Sequence, residues 1–88
     1  MKTYVIKITT YDANNMRQPR SVFYWGKPRR LWESPYYVEG FKRKAFAERA
    51  IQKDIDEDPL AVRIGPHAII QNKEFVTLYS VEEIEVKD

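Results

Sequence analysis

The sequence contains no cysteine among its 88 residues, and this absence excludes several classes of protein. Disulfide cross-links, cysteine-based zinc sites and thiol catalysis all require the missing side chain. The length allows one small domain, so we predict a single domain over residues 1–88. A domain of this size buries somewhat over about 60% of its unfolded surface. Packing or self-association must therefore stabilise it, and a homodimer is compatible with the sequence.

Long apolar runs are also absent. No segment approaches the roughly 18 consecutive apolar residues that a membrane-spanning helix requires. The N-terminal segment carries Lys2 and Lys7 and has no apolar stretch of the signal-peptide type. We therefore expect a cytoplasmic protein that does not bind membranes.

Glycine and histidine are scarce, with three glycines and one histidine in the chain. The sequence has no glycine-rich phosphate loop, no Gly-x-Ser-x-Gly motif and no His-Glu-x-x-His motif. His67 follows Gly65 and Pro66 in a predicted turn, and the sequence marks no nucleophile for it to activate. A surface histidine is the simpler interpretation. We predict that the protein is not an enzyme and needs no cofactor.

Acidic residues form two groups that are a second candidate surface for a protein partner, and the first of them also suggests a metal site. Three aspartates alternate as in the start of a calcium loop, at Asp54, Asp56 and Asp58. The glycine and the terminal glutamate of such a loop are missing, because Pro59 follows directly. The second group lies near the C-terminus, at Glu82, Glu83 and Glu85. We interpret both groups as solvated charges and predict no metal site.

Hydrophobic alternation predicts strands in the first half of the chain. The predicted strands cover residues 2–11, 21–25 and 36–38. In the first of them Tyr4, Ile6 and Ile8 lie on the more apolar side, because alternate strand residues point to the same face. We expect this side to meet the core.

A single helix is predicted for residues 42–56, which contain no Gly, Pro or Val and are rich in good helix formers. The apolar residues of this segment share one face: Phe46, Ala47, Ala50, Ile51 and Ile55. Lys42, Arg43 and Lys44 stand at its N-terminal end, where the helix dipole disfavours cations. Either packing overrides the dipole or these cations serve another purpose.

Strands are predicted again after the helix. They cover residues 60–64, 68–71, 74–79 and 81–86, with a bulge at Val81. Asn72 and Lys73 form the predicted two-residue turn of a hairpin. This order of elements predicts an α+β fold, in which a small antiparallel sheet carries one helix on one face. The other face is then solvated or meets a partner.

A first strand at residues 2–7, a helix introduced by Phe41 at residues 41–51 and a closing strand at residues 81–86 form one pattern. This pattern resembles a loose class of small, mostly uncharacterised proteins of phages and mobile elements, and it covers the two ends and the helix. The class often has Ser or Thr as a helix cap where Arg43 stands here. The resemblance implies an accessory role in the host cell, often through binding of a host component.

The net charge of +2 conceals an uneven distribution. Residues 16–44 contain eight basic and two acidic residues, which gives +6, whereas residues 45–88 contain five basic and ten acidic residues, which gives −5. The basic stretch also holds seven of the twelve aromatic residues. Basic side chains neutralise phosphates and aromatic rings stack on unpaired bases. The combination favours a binding surface for a nucleic acid or a nucleoprotein.

We therefore hypothesise a small binding protein that holds a host macromolecule on a basic and aromatic surface. The candidate binding residues are Arg17, Arg20, Tyr24, Trp25, Lys27, Arg29, Arg30, Trp32, Lys42, Arg43 and Lys44. Arg29 and Arg30 beside Trp32 suit a single nucleic-acid strand. Some of these aromatic residues must instead build the core, because consecutive strand residues point to opposite faces. The arginines could also pair with the acidic second half of the chain.

A protein partner is the alternative hypothesis. Trp, Tyr and Arg are the residues most enriched among binding hot spots. The same surface would then belong to a protein-binding inhibitor or adaptor, for example an anti-defence factor, that acts without nucleic-acid contact.

Overall fold

Two eleven-residue strands form the centre of the sheet in the computed structural model, which describes residues 1–86. The regular elements are β1 (Lys2–Asp12), β2 (Ser21–Trp25), a 3-10 turn (Pro35–Tyr37), α1 (Lys44–Asp56), β3 (Ala61–Gly65), β4 (Ala68–Gln71) and β5 (Phe75–Glu85). The strands lie in the order β2-β1-β5-β4-β3, and every neighbouring pair is antiparallel. The predicted α+β class, a small antiparallel sheet with one helix, is confirmed.

The core lies between α1 and one face of the sheet. Ala47, Ile51 and Ile55 of the helix are buried against it, and Ile6 and Ile8 of β1 face them as predicted. Three aromatic residues and one aliphatic residue complete the cluster: Trp25, Phe41, Tyr79 and Ile69. Full burial of one such side chain contributes about 2 kcal/mol, so this layer is the main support of a domain without disulfides.

Residues 36–38 do not form the predicted third strand. Pro35 begins a 3-10 turn, and the hydroxyl of Ser34 accepts a hydrogen bond from the backbone N–H of Tyr36. Proline has a fixed φ and no N–H, which favours the first position of a helical turn over a strand ladder. The chain returns to the sheet three residues later, where the backbone groups of Phe41 and Tyr4 exchange hydrogen bonds of 2.9 and 2.7 Å.

Two glycines allow this return. A Cβ atom on Gly40 would collide with the side chain of Thr3, and one on Gly26 would collide with the carbonyl oxygen of Glu39. Glycine is the residue that permits such close backbone approach. The loop between β2 and α1 is therefore pressed against the start of β1.

The helix starts two residues later than predicted, at Lys44. Arg43 is its N-cap residue with an extended backbone, and its side chain makes no capping hydrogen bond. The prediction of Phe46 on the core face is also wrong, because this ring is 39% exposed. It lies at the margin of the apolar stripe, where the flanking arginines are its neighbours.

The second half follows the predicted strands with shifted bounds, and the predicted strands 74–79 and 81–86 form one strand, β5. β3 begins one residue later than expected, at Ala61, and ends at Gly65. The bulge expected at Val81 is absent, because β5 pairs with β1 in one unbroken register that places Val81 opposite Ile6. The predicted turn forms at Asn72 and Lys73, with φ values of 53° and 59°, but Gln71 pairs with Phe75, so Glu74 belongs to the loop and not to the strand.

Candidate functional site

The candidate binding residues occupy three separate places on the fold. Arg17 and Arg20 lie in the connection between β1 and β2. The second group lies at and after the end of β2, and the third lies at the start of α1, whose first residue is Lys44. The guanidinium of Arg20 stands 4.9 Å from the ring centre of Phe75, which pairs with Asp12 at the end of β1, whereas Trp25 pairs with Ile6 near the middle of that strand. The structure therefore divides the predicted surface and leaves Arg17 and Arg20 outside the main cluster.

Trp25 is a core residue and is not available for stacking on a ligand. It is 3% exposed and packs edge-on against Phe41, with ring centres 6.5 Å apart. Its register opposite Ile6 places it on the helix-facing side of the sheet, which corrects its assignment as a binding residue. Its indole N–H has no hydrogen-bond partner within residues 1–86.

Arg29 is tied to the helix. Its Nε donates to Oδ1 of Asp54 at 2.6 Å, and a second guanidinium nitrogen donates to Oδ2 at 3.4 Å. The guanidinium also lies 5.1 Å from the ring centre of Trp25. The hydroxyl of Tyr79 donates to the same carboxylate at 3.0 Å. Burial, and then the charge of Asp54 with its hydrogen bond, raise the pKa of Tyr79 above its usual range. Arg29 thus anchors the loop after β2.

Tyr24 positions an exposed aromatic group through its backbone. Its N–H and carbonyl exchange hydrogen bonds of 2.7 and 2.8 Å with those of Trp32. This bridge holds Trp32 beside β2, where its ring lies 6.2 Å from that of Tyr37. The guanidinium of Arg30 stands 6.0 Å from the centre of the indole. Arg30, Trp32 and Tyr37 therefore form one exposed group of a cation and two rings.

A second exposed group surrounds Phe46 at the start of α1. The guanidinium groups of Arg43 and Arg49 stand 5.9 and 5.8 Å from its ring centre. Residues three apart on a helix are neighbours on its surface, so these three side chains form a stripe. Phe46 and Arg49 were not among the candidates. Their positions, three and six residues after Arg43, are a signal in the sequence that could have identified them.

Lys27 lies beside the first of these groups. It lines a cavity of about 180 Å³ together with Arg30, Trp32, Tyr37 and the acidic residue Glu39, and its ammonium stands 5.4 Å from the ring centre of Phe41. Phe41 leads directly into the basic residues before α1. We call this region the basic–aromatic surface, and its members are Lys27, Arg30, Trp32, Tyr37, Lys42, Arg43, Lys44, Phe46 and Arg49. Within the described chain none of its cations forms an ion pair.

The acidic groups have other contacts. Asp54 binds Arg29, Asp56 pairs with Arg63 at 2.8 Å, and Asp58 accepts from the backbone N–H of Leu60 at 2.9 Å. The three carboxylates therefore serve separate contacts, and residues 1–86 contain no group of three potential metal ligands. The glutamates of β5 form cross-strand ion pairs with the start of the chain, from Glu82 to Lys7, from Glu83 to Lys2 and from Glu85 to the terminal amine.

His67 lies in the turn between β3 and β4. Its carbonyl accepts a hydrogen bond of 2.8 Å from the backbone N–H of Tyr79. This contact involves the backbone alone and gives the imidazole no part in the basic–aromatic surface.

Comparisons with protein-family models, with curated proteins and with solved structures find no match to this chain. The described residues also contain no helix that is long and apolar enough to span a membrane. The resemblance to phage and mobile-element proteins therefore stays a prediction.

Proposed function

We propose that this protein is a non-enzymatic binding protein that holds single-stranded nucleic acid on its basic–aromatic surface. The observation that carries the proposal is the set of cations without ion-pair partners beside exposed rings. Elsewhere in the described chain, Lys2, Lys7, Arg29, Lys53 and Arg63 are paired with carboxylates, whereas Arg17, Arg20 and Lys73 form no ion pair within residues 1–86. Free cations and exposed aromatic faces are the two components of single-strand recognition.

The exposed rings favour a single strand over a duplex. Aromatic side chains stack on bases only where the bases are unpaired. Tyr37 is 73% exposed, and Trp32 is held beside it by the backbone of Tyr24. The phosphates of a strand stacked on these rings would follow the cations toward the start of α1. The accessory role in a phage or mobile element belongs to this proposal as the biological setting in which such a binder would act.

Salt dependence is the direct test of phosphate contacts. Fluorescence anisotropy with a labelled oligo-dT strand and with a duplex of equal length would measure affinity over a series of salt concentrations. Six cations lie on the surface. For a single strand, the logarithm of the binding constant falls with the logarithm of the salt concentration, with a slope of about −0.7 for each phosphate that a cation neutralises. We expect a slope approaching about −4 for the strand and weaker binding of the duplex.

A matched pair of variants locates the site. The substitution Arg43→Ala should weaken binding and flatten the salt slope by about one contact, whereas Arg17→Ala should change neither. Both arginines are exposed, and Arg17 lies in the separate connection between β1 and β2. Equal effects of the two variants would place the binding elsewhere. Absence of any oligonucleotide binding at about 50 mM salt would overturn the proposal in favour of the protein-binding inhibitor or adaptor.

A further inference from the structure

Apolar side chains at alternate positions lie exposed along the outer edge of the sheet. Leu60, Val62 and Ile64 are 57%, 62% and 55% exposed. β3 is the last strand in the sheet order and pairs with β4 alone, so within residues 1–86 its other edge has no strand partner. An unpaired strand edge with exposed apolar side chains is a template for pairing with another chain.

Arg63 is the charged residue of β3, and its side chain does not protect the exposed edge from pairing with another chain. Proteins commonly place Lys or Arg on edge strands to prevent pairing. In β3 the guanidinium of Arg63 donates to Asp56 of α1 at 2.8 Å, and it also approaches the carbonyl of Pro66. Its charge is thus neutralised on the helix side of the sheet, while Val62 and Ile64 stay exposed.

Val62 also belongs to an apolar row that crosses the sheet. It pairs with Ile70 of β4, which pairs with Val76 of β5, and Val76 pairs with Tyr11 of β1. Directly opposite residues in antiparallel strands share a face, so these four side chains lie together on the face away from the helix. The row ends at the β3 edge, where no strand of residues 1–86 lies on the outer side of Val62.

We propose that the β3 edge pairs antiparallel with the β3 edge of a second copy of this chain, with Val62 on the two-fold axis. Such a contact buries the same patch from both copies, so the segment must complement itself. Centred on Val62, it does: Arg63 of one copy stands opposite Ala61 of the other, and beyond this ladder Leu60 of one copy lies toward Ile64 of the other. Apolar residues meet each other and no like charges meet.

The extent of this contact sets its strength. The register shift between Arg63 and Gly65 bends the strand, so ladder pairing is confined to residues 61–63 and the flanking apolar side chains supply the rest. An interface this small falls well below the standard size of about 800 Å² per partner. We therefore expect a weak dimer, with a Kd of about 10 µM or higher. The inference is independent of the proposed nucleic-acid function.

The absence of cysteine gives a clean test of the register. The variant Val62→Cys carries the only thiol in the chain, and on the two-fold axis it meets its own equivalent. Opposite residues in antiparallel strands have Cα atoms about 4.5–5.5 Å apart, within the range that a disulfide spans. Under mild oxidation Val62→Cys should form a covalent dimer at least tenfold faster than Met16→Cys, whose site is 46% exposed and lies in the connection between β1 and β2. Equal rates for the two variants would overturn the proposal.

Sedimentation equilibrium on the unmodified chain supplies the second measurement. The average mass should rise toward twice 10.5 kDa with concentration. Val62→Lys should abolish the rise while the circular dichroism spectrum stays unchanged, and Met16→Lys should leave the rise intact. A chain that stays monomeric at about 1 mM, or a dimer that Val62→Lys leaves unchanged, contradicts pairing at this edge.

Discussion

Arg29 and Asp54 are 25 residues apart in the sequence and form the ion pair that joins the loop after β2 to the helix. The Arg29 side chain is half exposed, whereas that of Asp54 is largely covered. Since Asp54 also accepts a hydrogen bond from Tyr79, one carboxylate connects the loop, the helix and β5. The pair therefore has a structural purpose, although its arginine lies in the basic stretch that suggested ligand binding.

Removal of Arg29 should affect stability more than binding. We expect Arg29→Ala to lower the free energy of unfolding by about 1 kcal/mol, because solvent screens the exposed half of the pair. For a domain of this size that corresponds to a fall in Tm of about 4–8 °C. Arg30→Ala should leave Tm unchanged and weaken oligonucleotide binding. Thermal unfolding and anisotropy on both variants distinguish the two roles, and the prediction fails if Arg29→Ala leaves Tm unchanged.

Tyr79 should make stability fall at high pH. Burial and the neighbouring Asp54 raise its folded-state pKa above the ordinary value of 10.0, so the folded state resists its ionisation. The stability that the folded state gains from neutral Tyr79 is fully present below about pH 10, and it is lost as the pH rises toward the folded-state pKa. Tyr79→Phe lacks the hydrogen bond to Asp54 and should be less stable by about 1 kcal/mol at neutral pH.

The pH dependence separates this variant from an ordinary core defect. The stability gap between Tyr79→Phe and the unmodified protein should shrink as the pH rises above about 10, because only the latter contains the ionising group. Urea unfolding at a series of pH values measures the gap. The matched control Tyr37→Phe should show no such trend, and a gap that stays constant through alkaline pH contradicts the assignment.

The two tryptophans should respond differently to a bound strand. Trp32 is exposed beside Tyr37, whereas Trp25 is enclosed in the core. Oligo-dT should quench the emission of Trp32 alone, since only an exposed indole can stack on a base. Trp32→Ala should weaken binding by about 1–3 kcal/mol, which is roughly fivefold to 150-fold. Trp25→Phe should keep the quenching, and loss of quenching in that variant would contradict the burial of its indole.

Ile51 and Phe46 are both apolar residues of α1, but their replacement by alanine should lower the stability of the fold by different amounts. Ile51 is fully buried, and Ile51→Ala should cost about 2–5 kcal/mol of stability because it leaves a cavity in the core. Phe46→Ala should cost less than about 1 kcal/mol, since its ring stands among exposed arginines. Chemical denaturation measures both. A Phe46→Ala loss as large as that of Ile51→Ala would restore the core role that the sequence suggested.

Local chemistry explains which parts of the fold were predictable. Strand β2 was predicted with its observed bounds, because alternation ends there at Gly26. The turn at Asn72 and Lys73 was predictable for the same kind of reason, since Asn tolerates positive φ. Residues 36–38 were not, because their aromatic character suggested a strand while Pro35 and the Ser34 hydroxyl determine a helical turn.

Tertiary contacts explain what the sequence did not show about the candidate site. The charge asymmetry was visible directly, yet the sequence did not show that Arg29 reaches Asp54 or that Trp25 stands opposite Ile6. Both facts depend on how distant segments meet. The loss of Arg17 and Arg20 from the cluster has the same origin, because the β1–β2 hairpin carries them away from the start of α1.

The sheet order places β2 and β3 at opposite edges. The basic–aromatic surface is built beside β2, so a dimer joined through β3 would present two copies of it at its far ends. One long strand could then engage both ends at once, and the second contact would form at a high effective concentration without any additional interaction. The affinity of the dimer for nucleic acid would rise once a strand is long enough to span the two ends. A small domain that binds weakly by itself could then distinguish long single strands from short ones.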